Sequence, residues 1–341
     1  MKKGMVINMI RQVNNLVFEG GGILGISYLG VLDYLMQNGW TKDIKRIAGT
    51  SAGAITACIT SFNLAFADLN AIAESLDYSK LPSKSALDNL DLIPEDVKKT
   101  IAELLGDINC IYRLMNKYGW YSTEYFYLWI RDVIADQFNS AKKRPPYTFS
   151  DFKNASLHKY NRPFWDLYIV GTNLSMKNSS VFSYETTPMM EVAEAVRISM
   201  SIPLFFEAVI TDDSKVSDNS MTNVFCDGGA INNYPLNLFD SPRYNPYLYY
   251  GANMDTLGVR FRSTLKYAPI DNLLAYIESI LHLSSYIQQE IYESNPLNKQ
   301  RSIVIDTYDI SPLDFNIEVN DDTYRLLYNQ GYTAAKAYFN G

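Results

Sequence analysis

Ile44-Lys45-Arg46-Ile47-Ala48-Gly49-Thr50-Ser51-Ala52-Gly53-Ala54-Ile55-Thr56-Ala57-Cys58-Ile59 reads as a buried strand, a sharp turn carrying Ser51, and a helix. The run from Ile44 to Ala48 is strand-length, and the run from Ala54 to Ile59 continues as the helix. Such a turn needs small residues on both flanks, because a side chain there would strike the backbone as it reverses. Gly49 and Gly53 supply them. The hydroxyl is thereby lifted clear of the sheet and set at a helix N-terminus, whose free N–H groups and dipole favour negative charge developing nearby. A five-residue G-x-S-x-G match is common by itself, so its meaning depends on the rest of the chain.

Upstream, Asn15-Leu16-Val17-Phe18 is a short apolar strand that runs into Gly20-Gly21-Gly22. From Ile26 the spacing Ile26, Leu29, Leu32, Leu35, Met36 is helical, and Asn38-Gly39 ends it. Two strands around one helix make a βαβ unit. Downstream, strands are predicted at Trp165–Val170, Val224–Cys226, Thr256–Phe261 and Ser302–Ile305. Helices are predicted at about 123–138, 191–199, 271–292 and 321–339. Residues from about 62 to 117 are helical and patchily polar, with breakers at Pro82 and Pro94, and read as an insertion over the top of the sheet. The fold class is α/β, with a mainly parallel central sheet covered by helices on both faces. The expected organisation is a single domain, 1–341, with a core at about 15–262, the insertion, and a C-terminal helical extension at about 270–341.

The 341 residues have an ordinary globular balance of 47% hydrophobic and 20% charged, but are rich in aromatics, with 26 Tyr and 16 Phe. A net charge of -7 argues against nucleic acid as a partner and against electrostatic attraction to anionic lipid. Contact with a membrane surface would be chiefly apolar and aromatic. Cys58, Cys110 and Cys226 are scattered and unpaired in pattern, as buried thiols of a reducing compartment are. The stretch Met1 to Arg11 is broken by Asn8 and does not read as a secretory signal, and no window reaches the roughly 20 apolar residues of a membrane span. A cytoplasmic or peripheral-membrane location is expected, with non-classical export left open.

Gly20-Gly21-Gly22-Ile23-Leu24-Gly25 also satisfies the dinucleotide pattern G-x-G-x-x-G. A ribose-binding acid is expected at the end of the second strand, where this chain has Ile47-Ala48-Gly49 and then the serine turn. No Lys-Ser/Thr pair follows the glycines either. The loop suits an oxyanion hole better, since consecutive residues without β-carbons can turn several N–H groups toward one point. A serine nucleophile also needs a base. His158 lies in a polar turn and reads as solvated. His282 falls on the polar side of a helix whose apolar stripe is Leu273, Ile277, Ile280, Ser284 and Ile287. The order Ser51, Asp227, His282 is that of an α/β-hydrolase triad, which stands as the alternative. Asp227 ends an apolar strand, is followed by Gly228-Gly229, and is the stronger candidate, because strand ends converge at one edge of a parallel sheet.

Together these segments resemble the patatin-like phospholipase family, whose G-G-G-x-x-G, G-x-S-x-G and D-G-[GA] motifs occur here in that order. Phe182 to Pro188, Ala195 to Pro203 and Asp227 to Pro235 are similar to further blocks of the family, and Thr256-Leu257-Gly258 to a later strand. The resemblance implies a Ser51–Asp227 dyad without histidine, with Gly20, Gly21 and Gly22 around the oxyanion. It also implies a lipid acyl hydrolase of the phospholipase A or lysophospholipase type that needs no metal or cofactor. Leu24 departs from the Arg or Lys that many members carry there. A phospholipid or other lipid ester is the implied substrate, met by transient contact with a membrane surface. Head-group preference and any protein activator are left open. A lipid-binding protein that keeps the fold without catalysis is the rival, and the intact Ser51 and Asp227 argue against it.

Overall fold

The computed structural model describes residues 12–83, 108–212, 222–262, 267–271, 273–308 and 310–340. The expectations for Met1–Arg11 and for positions 84–107 of the insertion, Pro94 included, fall outside the described residues.

The first strand, β1 (Asn15–Phe18), is buried along its whole length, and β2 (Arg46–Thr50) in all but its first residue. Strands that are apolar and buried on both faces demand helices above and below. Between them α1 (Ser27–Gln37) follows a 3-10 turn at Gly22–Ile26, and α2 (Ala52–Ser61) follows Ser51 directly. Further along come α3 (Phe66–Glu74), α4 (Ile108–Lys117), β3 (Gly119–Tyr121), α5 (Glu124–Ala135) and α6 (Phe149–Lys153). Then follow β4 (Asp166–Asn173), β5 (Asn178–Ser183), α7 (Val192–Met200), β6 (Leu204–Phe206), β7 (Val209–Asp212) and β8 (Thr222–Asp227). The chain continues with β9 (Thr256–Phe261), α8 (Leu273–Glu293), α9 (Pro296–Gln300), β10 (Ser302–Ile305) and α10 (Asp322–Asn340).

The main sheet has the order β10-β9-β1-β2-β4-β8-β7, and β5 also pairs with β4. From β10 to β4 every neighbour is parallel. β5, β8 and β7 join antiparallel. The sheet is therefore mostly parallel with an antiparallel margin, and the strand that ends in Asp227 belongs to that margin.

The last helix, α10, packs on α1 at backbone contact. A β-carbon on Gly30 would sit 1.9 Å from the Tyr328 carbonyl oxygen, and one on Gly331 would sit 1.8 Å from that of Ser27. The other long C-terminal helix, α8, differs from its expected orientation. Ile277 is buried, but Ile280 and Ile287 stand about half exposed. Its inward face carries Ser284, Gln288 and Tyr292, which bond the turn after β8. That turn presents backbone groups, which polar side chains satisfy and isoleucines do not. Among the described residues, no helix is long and apolar enough to cross a membrane.

Candidate active site

Ser51 occupies the N-cap of α2 with φ 54° and ψ -123°, a conformation that a non-glycine residue holds only when its surroundings enforce it. Close packing enforces it here. A β-carbon on Gly49 would lie 2.0 Å from the Gly53 carbonyl oxygen, and one on Gly53 would lie 2.5 Å from that of Phe18. Ser199 on α7 pins the elbow from the other side: its hydroxyl accepts the Ser51 N–H at 2.9 Å and donates to the Val170 carbonyl at 2.5 Å.

Asp227 reaches Ser51 by a route that a purely parallel sheet would not provide. A strand has two hydrogen-bonding edges, and β5 occupies one edge of β4 from Tyr168 to Asn173. β2 and β8 must share the other edge, β2 beside Asp166–Val170 and β8 beside Gly171–Asn173. They abut end to end. Thr50 stands opposite Val170, and Asp227 stands opposite the next residue, Gly171. The expectation that Asp227 arrives as the end of one more parallel strand is thus replaced by two strands meeting head-on.

The Ser51 hydroxyl faces the Asp227 carboxyl closely enough to pull its pKa down. Burial raises the Asp227 pKa to about 7, and the nearby Ser51 hydroxyl and the Gly229 N–H, which donates to the carboxyl at 2.7 Å, only partly offset it. A carboxylate near neutrality is a far better base than an ordinary aspartate.

The glycine loop lies against this pair. A β-carbon on Gly20 would come within 3.0 Å of the Ser51 β-carbon, and one on Gly25 within 2.9 Å of that of Ala52. The three glycines are not equivalent. The Gly20 N–H is already bonded to the Asn233 carbonyl at 3.0 Å, so it is not a donor for an oxyanion. The N–H groups of Gly21, Gly22 and Ala52 have no acceptor among the described residues. Gly22, at φ +54°, touches the C-terminal segment, and its neighbour Ile23 donates to the Pro312 carbonyl at 3.0 Å.

Ser51 opens onto an apolar cavity of about 70 Å³. One face of α2 (Ala52, Ile55, Thr56, Ile59) forms a wall; Leu69, Ala73, Leu76, Tyr78 and Leu81 from the expected insertion, together with Trp129, form another. Met200, Phe206 and Phe315 also line it. Of the aromatic clusters singled out in the sequence, Trp129 lines this cavity, Phe126 is wholly buried in the core, and Tyr118 is exposed.

Neither histidine lines this cavity or bonds Ser51 or Asp227 among the described residues. His158 is not solvated as its polar surroundings suggest: it is 1% exposed, stacks on Phe164, and is held by the carbonyls of Arg162 and Asp151. His282 is half-buried on α8. The three cysteines are buried thiols.

Sequence reasoning missed Ser199, Asn233 and Glu19. The Asn233 amide donates to the Gly20 carbonyl at 3.1 Å and to Glu19 at 3.4 Å. Glu19 is buried, accepts the Phe261 N–H at 2.7 Å, and has a pKa raised by burial to about 7 against the opposing pull of Phe261, Arg260 and Asn233. Ser199 and Asn233 stood within recognised motif blocks, yet their partners are distant in sequence.

A family model described as "Patatin-like phospholipase" matches residues 16–240. The "Uncharacterized protein R571" of Acanthamoeba polyphaga mimivirus is 28% identical over 327 residues, covering 92% of this chain and 90% of the relative. The "Uncharacterized protein YqhO" of Bacillus subtilis is 29% identical over 231 residues, 67% of this chain and 68% of that one. The crystal structure of VipD from Legionella pneumophila superposes with a TM-score of 0.56 at 18% identity, covering 96% of this chain and 67% of VipD. That last likeness is one of fold.

Proposed function

Because this chain belongs to the patatin-like phospholipase family, we propose that it is a serine carboxylic-ester hydrolase that cleaves glycerophospholipid acyl esters through a Ser51–Asp227 dyad. The observation that carries this reading is the Ser51 hydroxyl, on a strained elbow lining an apolar cavity, facing a buried carboxyl of raised pKa. Asp227 takes the Ser51 proton as the oxygen attacks the ester carbonyl. Charge on the former carbonyl oxygen meets the N–H groups of Gly21, Gly22 and Ala52, in a site where water is largely excluded. Collapse of the tetrahedral intermediate expels the alcohol, a lysophospholipid when the substrate is a diacyl lipid, which takes the proton from Asp227. Water, deprotonated in turn by Asp227, then releases the fatty acid from Ser51. The acyl chain lies in the cavity beside α2, and the lipid is met by transient apolar contact with a membrane surface. Gly49, Gly53, Gly228 and Gly229 shape the two turns. The chemistry balances without a metal or cofactor.

Labelling of Ser51 by a fluorophosphonate probe, alongside hydrolysis of a chromogenic ester, tests the reading. Labelling and turnover are expected in the natural protein and absent in Ser51→Ala. A folded protein that neither labels nor hydrolyses would be a lipid binder instead.

A further inference from the structure

The Gln288 side chain of α8 bonds both ends of the turn following Asp227. Its Oε1 accepts the Asn233 N–H at 2.7 Å, and its Nε2 donates to the Gly229 carbonyl at 3.1 Å and to the Ser284 hydroxyl at 3.3 Å. The partners fix the orientation of this carboxamide, since Asn233 offers a donor and Gly229 an acceptor. Each end continues into the site. Gly229 gives its N–H to the Asp227 carboxylate at 2.7 Å. Asn233 grips the oxyanion loop through its carbonyl, which accepts the Gly20 N–H at 3.0 Å, and through its amide, which donates to the Gly20 carbonyl at 3.1 Å. The neighbours of Gln288 on the same face bond the turn more loosely, Ser284 to the Ala230 carbonyl at 3.5 Å and Tyr292 to the Asn232 side chain at 3.2 Å.

We propose that Gln288 is a positioning residue for ester hydrolysis, its single carboxamide locking the turn that carries the base to the loop that supplies the oxyanion donors. The proposal rests on the dyad reading given above. It adds that the C-terminal helix α8, which lies beyond residues 16–240, holds the geometry of that site. A primary amide suits this task because it donates and accepts in one plane, as a peptide group does between strands.

The consequence for proton transfer has a definite sign. The Gly229 N–H favours the ionised form of Asp227, so loosening the turn raises the pH at which the base becomes active. Among the described residues, the groups that face Asp227 are the Ser51 hydroxyl of the elbow, the Gly229 N–H, and the Cys226 thiol of its own strand, which burial pushes up to about 12. The β4 residue opposite Asp227 is glycine, and the α7 end facing its N–H offers the Ser201 carbonyl. Glu19 stands behind Asn233 with Arg260 near it.

The experiment compares Gln288→Ala, Gln288→Glu and Ile277→Ala with the natural chain, using a soluble chromogenic ester across pH 5–9. It adds hydrogen exchange of the 227–233 backbone and the thermal midpoint. Gln288→Ala is expected to lower kcat by about 10- to 100-fold with KM little changed, as sub-ångström misplacement does. It should also move the acid limb upward by roughly half a pH unit or more and speed exchange in 227–233. Gln288→Glu keeps the acceptor, loses the donor and adds a negative charge, so it is expected to shift the limb in the same direction and further. It also serves if the alanine variant folds poorly. Ile277→Ala, a core truncation in the same helix, should lower the midpoint yet leave the acid limb in place. Wild-type kcat and limb in a folded Gln288→Ala or Gln288→Glu enzyme, with Ser51→Ala inactive, would overturn this inference alone. Full turnover by Ser51→Ala would overturn the dyad and this inference with it.

Discussion

Asp227 and Glu207 are two carboxyls buried to nearly the same depth, 4% and 2% exposed, and the protein treats them in opposite ways. Glu207 sits where β6 meets β3, in a nest of cations. Lys117 and Arg197 lie at 3.3 Å, Arg113 at 3.9 Å, and Thr123 gives it both an N–H and a hydroxyl at 3.1 Å. Burial alone would push its pKa up, but Thr123, Lys117 and Arg197 outweigh it and hold the carboxyl below its ordinary value. Among the described residues no cation pairs with Asp227, which meets only a serine hydroxyl and one peptide N–H, so burial prevails. Equal burial thus yields a permanent anion in one place and a proton acceptor poised near neutrality in the other. The difference lies in the company each carboxyl keeps. Glu207 knits α4, α5 and α7 together, whereas Asp227 is left under-compensated beside a nucleophile, as a base must be.

The sharpest way to break this comparison is to neutralise both. Asp227→Asn is expected to cut ester turnover by at least about a thousandfold, as loss of a catalytic base does. The same change should stabilise the fold. The folded-state pKa is raised from the ordinary 3.8 to about 7, so the folded protein binds a proton that the unfolded chain gives up. This contribution falls away as pH rises from about 4 to about 7. Glu19 acts in the same sense. At pH 8 the asparagine variant, which has no charge to bury, should melt on the order of 5 °C higher. Glu207→Gln should do the reverse. It removes the buried negative charge that Lys117, Arg197 and Arg113 surround, and is expected to lose about 3 kcal/mol in chemical denaturation while turnover per folded molecule is unchanged.

Smaller effects sharpen the comparison. Ser199→Ala strands the Ser51 N–H in a buried place and loosens the elbow. Turnover should fall roughly tenfold, with a destabilisation of about 1–3 kcal/mol. His282→Ala should leave turnover within experimental scatter, and an inactive variant would restore the triad as the reading of this site.

The elements that build the site were largely legible because their apolar periodicity is strong. β1, the helix after it, β2 and the serine turn form one continuous pattern, and β9, β10 and α10 fell within a residue or two of their expected places. The direction of β8 was not legible, since an isolated apolar strand carries no mark of the strand it will lie beside. β5, Asn-Ser-Ser-Val-Phe-Ser, was missed because four of its six residues are polar. α8 was turned the wrong way by its isoleucines. Its working face is polar because it satisfies the backbone of a turn more than 50 residues away in sequence. His158 looked solvated because its partners are backbone carbonyls, which no sequence pattern marks.

The central claim is that Asp227, buried with no cation beside it among the described residues, is the base for Ser51. The measurement closest to it is the rate of fluorophosphonate labelling of Ser51 as a function of pH, in the natural protein and in Asp227→Asn. Labelling should rise along a single limb with its midpoint near the raised pKa of about 7, and the limb should vanish in the asparagine variant. A midpoint near the ordinary aspartate value of about 3.9, or an Asp227→Asn protein that labels at the natural rate, would contradict it.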